Sequence, residues 1–589
     1  MNIDLRANPF FLTEEDCDWV HETIAAMNDE EKVGQLFFQL TSSQKEEDLI
    51  ELIQTYHLGG CRYNPAPARE VWKQNRILQE NSKIPLFIAC NTESGGDGAC
   101  TDGTYIGNGM KIGATGNHDY AEDMGRMGNA EAAAIGCNMA FAPVCDIYYN
   151  PMNTEISTRA FSNDPEMVKK CSVEYVRGAH QNTDFACVAK HFPGNGVDYR
   201  DAHLSNHVND FSPKHWDETY GMVYKELIEN GVEGIMGGHI MLPEYVRELA
   251  PELPEEEVWM PATLNKTLMT TLLRDKLGFQ GVVVTDASHM VAMTNQMTRK
   301  EMLPRAINAG CDMFLFFNDP QEDYQTMLTA YQRGVISEER MTEALTRILG
   351  IKAHLQLHKK SAAEMVPEKD TLDRVLGNEE FKKKLSEISE KSLTLVKYKD
   401  KDVLPISPEK YKKVMIVHIK GHETGMVELL KLCGMEGKNP AETVKEKLCE
   451  RGYDAYVYES PLDQMKQKAL KGEKPDLNIY FAGKNAISEF REQADLVITL
   501  CDVMAGRPSF GMSKGGGEIP WYVFEVPVIA VGCGQPTMLS DIPQVRTYIN
   551  IYDAKENTLE KLIEALSSGA DAFVGKDPID SFCGLQDTK

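Results

Sequence analysis

Short apolar runs alternate with longer amphipathic stretches through the first 350 residues of the chain. Eight runs have the length and apolar content of buried strands. They cover residues 33–40, 58–64, 85–90, 138–146, 185–192, 233–239, 281–286 and 312–317. Buried strands separated by helices predict a (β/α)8 TIM-like barrel of the α/β class. The first run also fits a helix, and an open doubly wound sheet is the alternative fold.

Polar or ionisable side chains stand at the ends of several of these runs. They are Asn91, Glu93, Asp146, Lys190, His191, His239 and Asp286. In a parallel barrel all strands end at one mouth, and the loops at that mouth carry the chemistry. The pattern therefore predicts that these side chains gather into one site.

The second part of the chain has a different pattern. Residues 351–390 are charged and helical in periodicity, which predicts a linker between a barrel domain of residues 1–350 and a domain of residues 391–589. Apolar runs return in the last domain at residues 392–397, 414–419, 455–459, 478–483, 496–502, 526–532 and 546–552. Helical stretches lie between them, and we expect an α/β sandwich.

One glycine-rich segment of the last domain, residues 507–518, is irregular and contains Arg507 and Lys514. Such a loop can cover the barrel mouth or hold an anion, and it can equally be a plain surface loop. It lacks the GxxxxGK[ST] spacing, which argues against a nucleotide P-loop.

Composition narrows the possible partners. A net charge of −27 repels nucleic acid and anionic membranes, but it says nothing about a neutral small-molecule substrate, such as a small carbohydrate, or about a homo-oligomer. The 14 cysteines include no CxxC pair, which indicates reduced core thiols. No signal peptide is visible, and no apolar run approaches the ~20 residues that span a bilayer. We therefore expect a cytoplasmic protein without membrane or nucleic-acid partners.

The segment from Lys190 to His207, KHFPGNGVDYRDAHLSNH, carries the densest group of polar residues. Glycine and proline allow a sharp exit from the strand that ends in Lys190–His191. Beyond it, Asp201 and His203 are two residues apart, and a carboxylate can hold an imidazole in one tautomer and raise its basicity. The alternative is a solvated loop with ordinary surface charges.

Two further segments contain charged groups suited to a site. Asp286 ends the run GVVVTD, where an acid is costly unless it is used or paired; it also fits the cap of a following helix. Asp146 ends the run NMAFAPVCD, and Arg159 follows in a polar loop suited to gripping hydroxyl groups.

Several motifs in order resemble glycoside hydrolase family 3. The motifs are LGFQGVVVTD at Leu277 to Asp286, PATL at Pro261 to Leu264, APVCD at Ala142 to Asp146, Arg159 followed by DPE at Asp164 to Glu166, and AGCD at Ala309 to Asp312. KHFPG followed by D-x-H is similar to the β-N-acetylglucosaminidase branch of that family. The resemblance covers about residues 30–350 and, more loosely, the rest.

This resemblance implies a retaining, exo-acting β-N-acetylglucosaminidase that forms a covalent glycosyl-enzyme. Asp286 would be the nucleophile. His203, oriented by Asp201, would be the general acid and base, in place of the usual second carboxylate. Histidine suits this task because its ordinary pKa, roughly 6.5, lies near working pH.

The same resemblance implies a set of substrate-binding residues. They are Lys190, His191 and Arg159, which would hold hydroxyl groups, together with Asp146, His239 and Asn91. Asn91 departs from the family pattern, which has aspartate there, so recognition at the outer end of the sugar is open. No cofactor and no metal are expected, since no HExxH or comparable ligand spacing is present.

The sequence leaves three alternatives to a β-N-acetylglucosaminidase. The same scaffold suits a β-N-acetylglucosaminide phosphorylase, because a histidine acid/base adds no negative charge against an anionic acceptor. A family 3 β-glycosidase of other sugar specificity is a further alternative. A non-catalytic sugar-binding protein is the alternative of a different class.

Overall fold

The structure is a computed structural model that describes residues 3–41, 45–182, 185–420, 437–459, 461–474, 487–503 and 521–582. The chain divides into two compact units. The first comprises Met1–Gly109 and His118–Lys384, and the second comprises Met110–Asn117 and Leu385–Lys589. The predicted strand at residues 478–483 and the glycine-rich segment at residues 507–518 lie outside the described residues.

Ten strands, numbered in chain order, occur among the described residues of the first unit. They are β1 Phe37–Leu40, β2 Gly60–Arg62, β3 Phe87–Cys90, β4 Met139–Ala140, β5 Ala186–Phe192, β6 His207–Val208, β7 Gly234–Gly237, β8 Ile240–Met241, β9 Val282–Ala287 and β10 Met313–Leu315. Eight of them close a barrel in the order β1-β10-β9-β7-β5-β4-β3-β2, while β6 and β8 form a separate pair. Each predicted run supplies one barrel strand, so the predicted barrel is confirmed.

The barrel strands are buried because helices cover their outer faces and side chains fill the interior. Every residue of β3, β5 and β7 is buried. In the core, the ring centroid of Phe38 lies 6.2 Å from that of Phe87 and 5.5 Å from that of Phe141. The first two residues of the first predicted run belong instead to the helix Asp29–Gly34.

Helices connect the strands. Up to residue 392 the α-helices are Glu14–Ala26, Asp29–Gly34, Glu46–Tyr56, Ala68–Glu80, Gly109–Ala114, Asp119–Ala134, Pro165–Ala179, Pro213–Trp216, Met222–Glu229, Pro243–Leu249, Glu255–Val258, Val291–Thr294, Arg299–Ala309, Pro320–Gln332, Glu338–His354, Ala362–Met365, Lys369–Val375 and Glu379–Ser392. Asp217–Gly221 and Thr267–Lys276 are π-helices. Short 3-10 turns occur at Gly96–Gly98, Ser157–Arg159, Ala262–Leu264 and Leu357–Lys359.

The AGCD turn before β10 places Asp312 in a buried cluster of arginines. Its carboxylate accepts hydrogen bonds from Arg274 Nη2 at 2.7 Å, Arg340 Nη2 at 2.7 Å and the Val283 N–H at 2.9 Å. Arg347 Nη1 lies 3.3 Å away. Burial alone would raise the pKa of Asp312, but the three arginines hold it below its ordinary value. This motif residue is therefore structural, since it joins β9 and β10 to the surrounding helices.

The second unit contains one mixed sheet. Its strands are β11 Thr394–Tyr398, β12 Lys413–Lys420, β13 Asp454–Val457, β14 Leu496–Asp502, β15 Val528–Gly532 and β16 Thr547–Asn550. Their order is β11-β16-β15-β14-β12-β13, and β11 is antiparallel to β16 while the other pairs are parallel. The remaining α-helices are Pro440–Glu450, Pro461–Leu470, Ile487–Gln493 and Glu556–Ser568.

Two hydrophobic cores lie on opposite faces of this sheet. Val414 and Ile416 of β12 belong to the core that includes residues of the helices Pro440–Glu450 and Glu556–Ser568. The alternate residue, Met415, belongs to the other core. Side chains of a strand point alternately to its two faces, so an unbroken apolar strand requires cover on both. The predicted α/β sandwich is confirmed.

The helices and the cysteines of the described residues have two further properties. No helix among the described residues combines the length and the apolar character that a membrane crossing requires. The cysteines of the described residues are unpaired thiols, and all except Cys449 are buried, as predicted.

Candidate active site

A buried ionic network lies at the carboxyl ends of β3 and β5. Glu93 accepts two hydrogen bonds from Arg159, from Nε at 2.8 Å and from Nη2 at 3.0 Å. Lys190 Nζ lies 2.5 Å from the same carboxylate. Burial alone would raise the pKa of Glu93, but the two cations hold it well below its ordinary value. Glu93 thus fixes the positions of two predicted substrate-binding side chains.

His191, next along β5, is held by Asp146. Its Nδ1 donates to Asp146 Oδ2 at 2.7 Å, and its N–H donates to Asp146 Oδ1 at 3.2 Å. Asp146 Oδ1 also accepts the Asn195 N–H at 2.7 Å. The other ring nitrogen, Nε2, lies 3.5 Å from Arg159 Nη2. The side chains of Asp146 and His191 are therefore locked, and His191 joins the network of Arg159.

Asp286 lies in β9, at the same end of the barrel. Its carboxylate accepts the N–H of Ala287 at 2.7 Å. Burial works against its charged form, but nearby His191, His239 and Lys190 hold the pKa of Asp286 below its ordinary value. The side chain is therefore an anion at neutral pH, as a nucleophile requires.

His239 follows β7 and touches the end of β9. Its Nδ1 lies 2.8 Å from Thr263 Oγ1, and its Nε2 donates to the Ala287 carbonyl at 3.1 Å. Burial lowers the pKa of His239, which favours the neutral ring. Both ring nitrogens are occupied by protein groups, so the geometry makes His239 a brace for the residue after Asp286.

Asp201 and His203 lie on the loop between β5 and β6. His203 Nδ1 donates to Asp201 Oδ1 at 2.8 Å, and the backbone N–H of His203 donates to the same oxygen at 2.8 Å. This hydrogen bond raises the pKa of His203 above its ordinary value, and the charge of Asp286 adds to the effect. About half of the His203 side chain is exposed, and its Nε2 is the ring nitrogen left for proton transfer.

The loop that carries His203 is tied to the segment after β9. Val291 donates its N–H to the His203 carbonyl at 3.3 Å, and Ala292 donates to the Ala202 carbonyl at 3.0 Å. Ala202, Met290 and Ala292 also form a small buried apolar cluster. These contacts hold the loop that carries His203 close to the end of β9, the strand that supplies Asp286.

Two carboxylates of the site were not singled out from the sequence as site residues. Glu93 stood only among the polar strand ends, and its position two residues after Asn91 was the available signal. Glu155 lies in an irregular loop without a motif, and its donor atoms lie within 4.8 Å of those of Asp201 and His203. Its Oε2 accepts the Ala202 N–H at 3.1 Å. Only the fold brings Glu155 to this place.

Asn91 follows β3 directly. Its N–H donates to the Gly98 carbonyl at 3.3 Å, while its side-chain Oδ1 is buried and has no hydrogen-bond partner. A buried acceptor without a partner costs roughly 1–3 kcal/mol. This oxygen is therefore suited to accept a hydrogen bond from a ligand.

Comparison with known proteins identifies the family of the chain. Residues 29–351 match the glycosyl hydrolase family 3 N-terminal domain. The chain is 36% identical over 591 residues to a beta-N-acetylglucosaminidase/beta-glucosidase from Cellulomonas fimi, with 100% of both chains covered. The structure of beta-glucoside phosphorylase BglX is similar with a TM-score of 0.88 and 32% identity, over 99% of each chain. That of a family 3 beta-N-acetylglucosaminidase from Paenibacillus sp. str. FPU-7 has a TM-score of 0.77 and 25% identity, over 95% of this chain and 100% of the other.

The family match spans more than half of the chain, and the likeness to the Cellulomonas protein is full-length. The order of the motifs, the closed barrel and the sandwich unit lead to the same conclusion. The chain belongs to glycoside hydrolase family 3.

Proposed function

We propose that this enzyme is a retaining, exo-acting β-N-acetylglucosaminidase that cleaves terminal β-linked N-acetylhexosamine from oligosaccharides or cell-wall fragments. The observation that carries the proposal is the pairing of Asp286, an anion at the end of β9, with the Asp201–His203 dyad on a loop tied to the next segment. The names of the full-length relative and of the Paenibacillus structure support the sugar.

The reaction proceeds in two steps. An oxygen of Asp286 attacks the anomeric carbon as the bond to the leaving oxygen breaks, and the leaving oxygen takes the Nε2 proton of His203. Water then attacks the anomeric carbon, its proton goes to Nε2, and the bond to Asp286 breaks. Two inversions leave the configuration unchanged.

The remaining site residues bind and position the sugar. Arg159 and Lys190 donate charge-assisted hydrogen bonds to hydroxyl groups, and Glu93 and His191 keep them in place. The unpartnered Oδ1 of Asn91 accepts a hydrogen bond from a sugar hydroxyl group. Because the amide of Asn91 also donates hydrogen bonds, this residue tolerates a wider range of sugars than an aspartate would.

A second candidate function is phosphorolysis of the same glycosyl-enzyme. A phosphate oxygen would replace water in the second step and release a sugar 1-phosphate. Two observations favour it: the acid/base is His203, which adds no negative charge against a dianion, and the BglX structure that covers 99% of this chain is named a β-glucoside phosphorylase. The name of that protein also makes glucose a second candidate sugar.

A panel of aryl β-glycosides with and without inorganic phosphate tests both candidates. The sugars are N-acetylglucosamine, N-acetylgalactosamine, glucose and xylose. The proposal predicts fastest release from the N-acetylglucosaminide, at a rate independent of phosphate. Phosphate-dependent release of a sugar 1-phosphate would replace hydrolysis by phosphorolysis, and preference for the glucoside would change the sugar. Binding without cleavage of any member would indicate a sugar-binding protein.

A further inference from the structure

Four side chains with metal-binding atoms converge at the amino ends of β5 and β7, opposite the mouth. Cys187 is the second residue of β5, and Glu233 directly precedes β7. His180 and His354 each stand at the carboxyl end of a long helix. The side chain of Glu233 is 2% exposed, those of the two histidines are about one third exposed, and Cys187 is fully buried.

The donor atoms of three of these side chains are close enough to share one ion. Those of His180, Cys187 and Glu233 all lie within 4.8 Å of one another. His180 Nε2 is 2.7 Å and His354 Nε2 is 3.8 Å from Glu233 Oε1. In a tetrahedral zinc site with bonds of about 2.0 Å to nitrogen and about 2.3 Å to sulfur, neighbouring ligand atoms are roughly 3–4 Å apart.

The contacts around these atoms leave their electron pairs for a common partner. His180 Nε2 is buried and lies 2.7 Å from Glu233 Oε1 without a well-aligned hydrogen bond. Burial favours the neutral ring, but the charge of Glu233 raises the pKa of His180. His354 Nδ1 donates to the Phe10 carbonyl at 2.8 Å, which leaves Nε2 as the acceptor that faces Glu233. A backbone carbonyl on the far ring nitrogen is the usual support of a metal-bound histidine.

The two carboxylate oxygens of Glu233 also have different partners. Its Oε2 accepts the N–H of Cys187 at 2.9 Å, and this bond leaves Oε1 for the cluster. One thiol, one imidazole and one carboxylate form a donor set that zinc accepts, and they leave a fourth position for water or for His354, whose Nε2 is 3.8 Å from Glu233 Oε1.

We propose that His180, Cys187 and Glu233 bind one Zn²⁺ at the base of the barrel, with His354 or water as the fourth ligand. Binding forms a bond between zinc and the Cys187 sulfur and releases the thiol proton to solvent. The ion joins the end of the helix before His180 to β5 and β7, and so stabilises the barrel from the end away from the mouth. This proposal is independent of the sugar and of the acceptor that the enzyme uses.

The alternative is a His180–Glu233 ion pair without metal, and metal content separates the two. Full-length protein purified from zinc-containing medium is analysed by mass spectrometry for metals, then stripped with a chelator and titrated with Co²⁺. We expect one zinc per chain, a lower thermal unfolding midpoint after stripping, and cobalt bands of tetrahedral geometry with a near-ultraviolet thiolate band. Cys187→Ala should lose the thiolate band.

A matched control is His358→Gln, which removes another buried histidine–carboxylate pair, with Asp16, from the same unit. It should retain one zinc and the full cobalt spectrum. Wild-type protein that holds no stoichiometric zinc, shows no cobalt spectrum and unfolds identically after chelation would overturn the proposal. These wild-type measurements decide the matter even where Cys187→Ala does not fold.

Discussion

At the scale of single residues, the charges around each titratable group decide which role it is able to take. His191, His239, Lys190 and the Ala287 N–H offset the burial of Asp286 and keep it anionic, while the hydrogen bond that His203 donates to Asp201 and the surrounding acids keep the pKa of His203 raised. The proposed nucleophile and the proposed acid thus differ in charge at the same pH. Sequence motifs predicted this pair, but they did not predict Glu155, whose charge acts on His203 only through the fold.

Asp201→Asn tests the origin of the raised His203 pKa. In the first step His203 must carry a proton, so the alkaline limb of kcat/KM follows its pKa in the free enzyme. Loss of the Asp201 charge lowers that pKa, and we expect the alkaline limb to move to lower pH, together with a 10²–10⁴-fold loss of kcat/KM. The measurement is the pH dependence of kcat/KM on an aryl glycoside.

Asp210→Asn is the matched control, since Asp210 is an exposed aspartate a few residues after His203 along the chain. It should leave the pH profile unchanged. An Asp201→Asn enzyme whose alkaline limb stays in the wild-type position would show that Asp201 does not set the pKa of His203.

At the scale of elements, apolar periodicity was sufficient for the barrel. Each of the eight predicted runs supplies a barrel strand; seven strands are shorter than their runs, and β9 has the length of its run but is shifted by one residue. The pair β6–β8 was not predicted, since strands of two residues leave no periodic signal. The polar strand ends were predicted to meet, and contacts of Glu93 and Asp146 do join the loops after β3 and β4 to β5.

Glu93→Gln tests the network that joins these strand ends. The substitution leaves Arg159 and Lys190 without a counter-charge, and we expect the free energy of unfolding to fall by about 3 kcal/mol at pH 7. KM for the aryl glycoside should rise, because the two cations lose their fixed positions. Urea unfolding and steady-state kinetics measure the two effects.

The pH dependence of stability gives a second check on Glu93. Its pKa in the folded protein lies below its unfolded value of about 4.3. The stabilisation is therefore present above that pH and is lost as pH falls through the folded pKa. The difference between wild type and Glu93→Gln should shrink in acid; a difference that is constant with pH would contradict the account.

At the scale of the whole molecule, the chain builds two units with separate cores. The segment Met110–Asn117 belongs to the second unit although it lies within the first 350 residues. The local sequence pattern of this segment does not predict that it packs with the second unit. The same holds for the residues around the proposed zinc site, which come from three separate parts of the sequence, His180 with Cys187, Glu233 and His354, without a recognisable spacing.

Substitution of Lys111 tests how much a buried ion pair with Asp553 stabilises the second unit. Both side chains are fully buried, and Lys111 Nζ lies 2.7 Å from Asp553 Oδ2 and 2.8 Å from Thr558 Oγ1. Lys111→Met leaves a buried carboxylate without its cation and should lower the free energy of unfolding by about 3–5 kcal/mol. The double variant with Asp553→Asn should recover most of this loss in urea unfolding. A single variant as stable as wild type would show that the pair is not needed.

The most direct measurement of the central claim is covalent trapping on Asp286. Wild-type enzyme is incubated with a fluorinated, activated glycoside of the sugar that the panel identifies, and it is then digested and sequenced by mass spectrometry. Such an analogue slows release of the glycosyl-enzyme more than its formation. We predict one added glycosyl group on the peptide of β9, attached to Asp286 and absent in Asp286→Asn, whose kcat should fall roughly 10⁴-fold or more. A label on another residue, or undiminished turnover by Asp286→Asn, would contradict the mechanism.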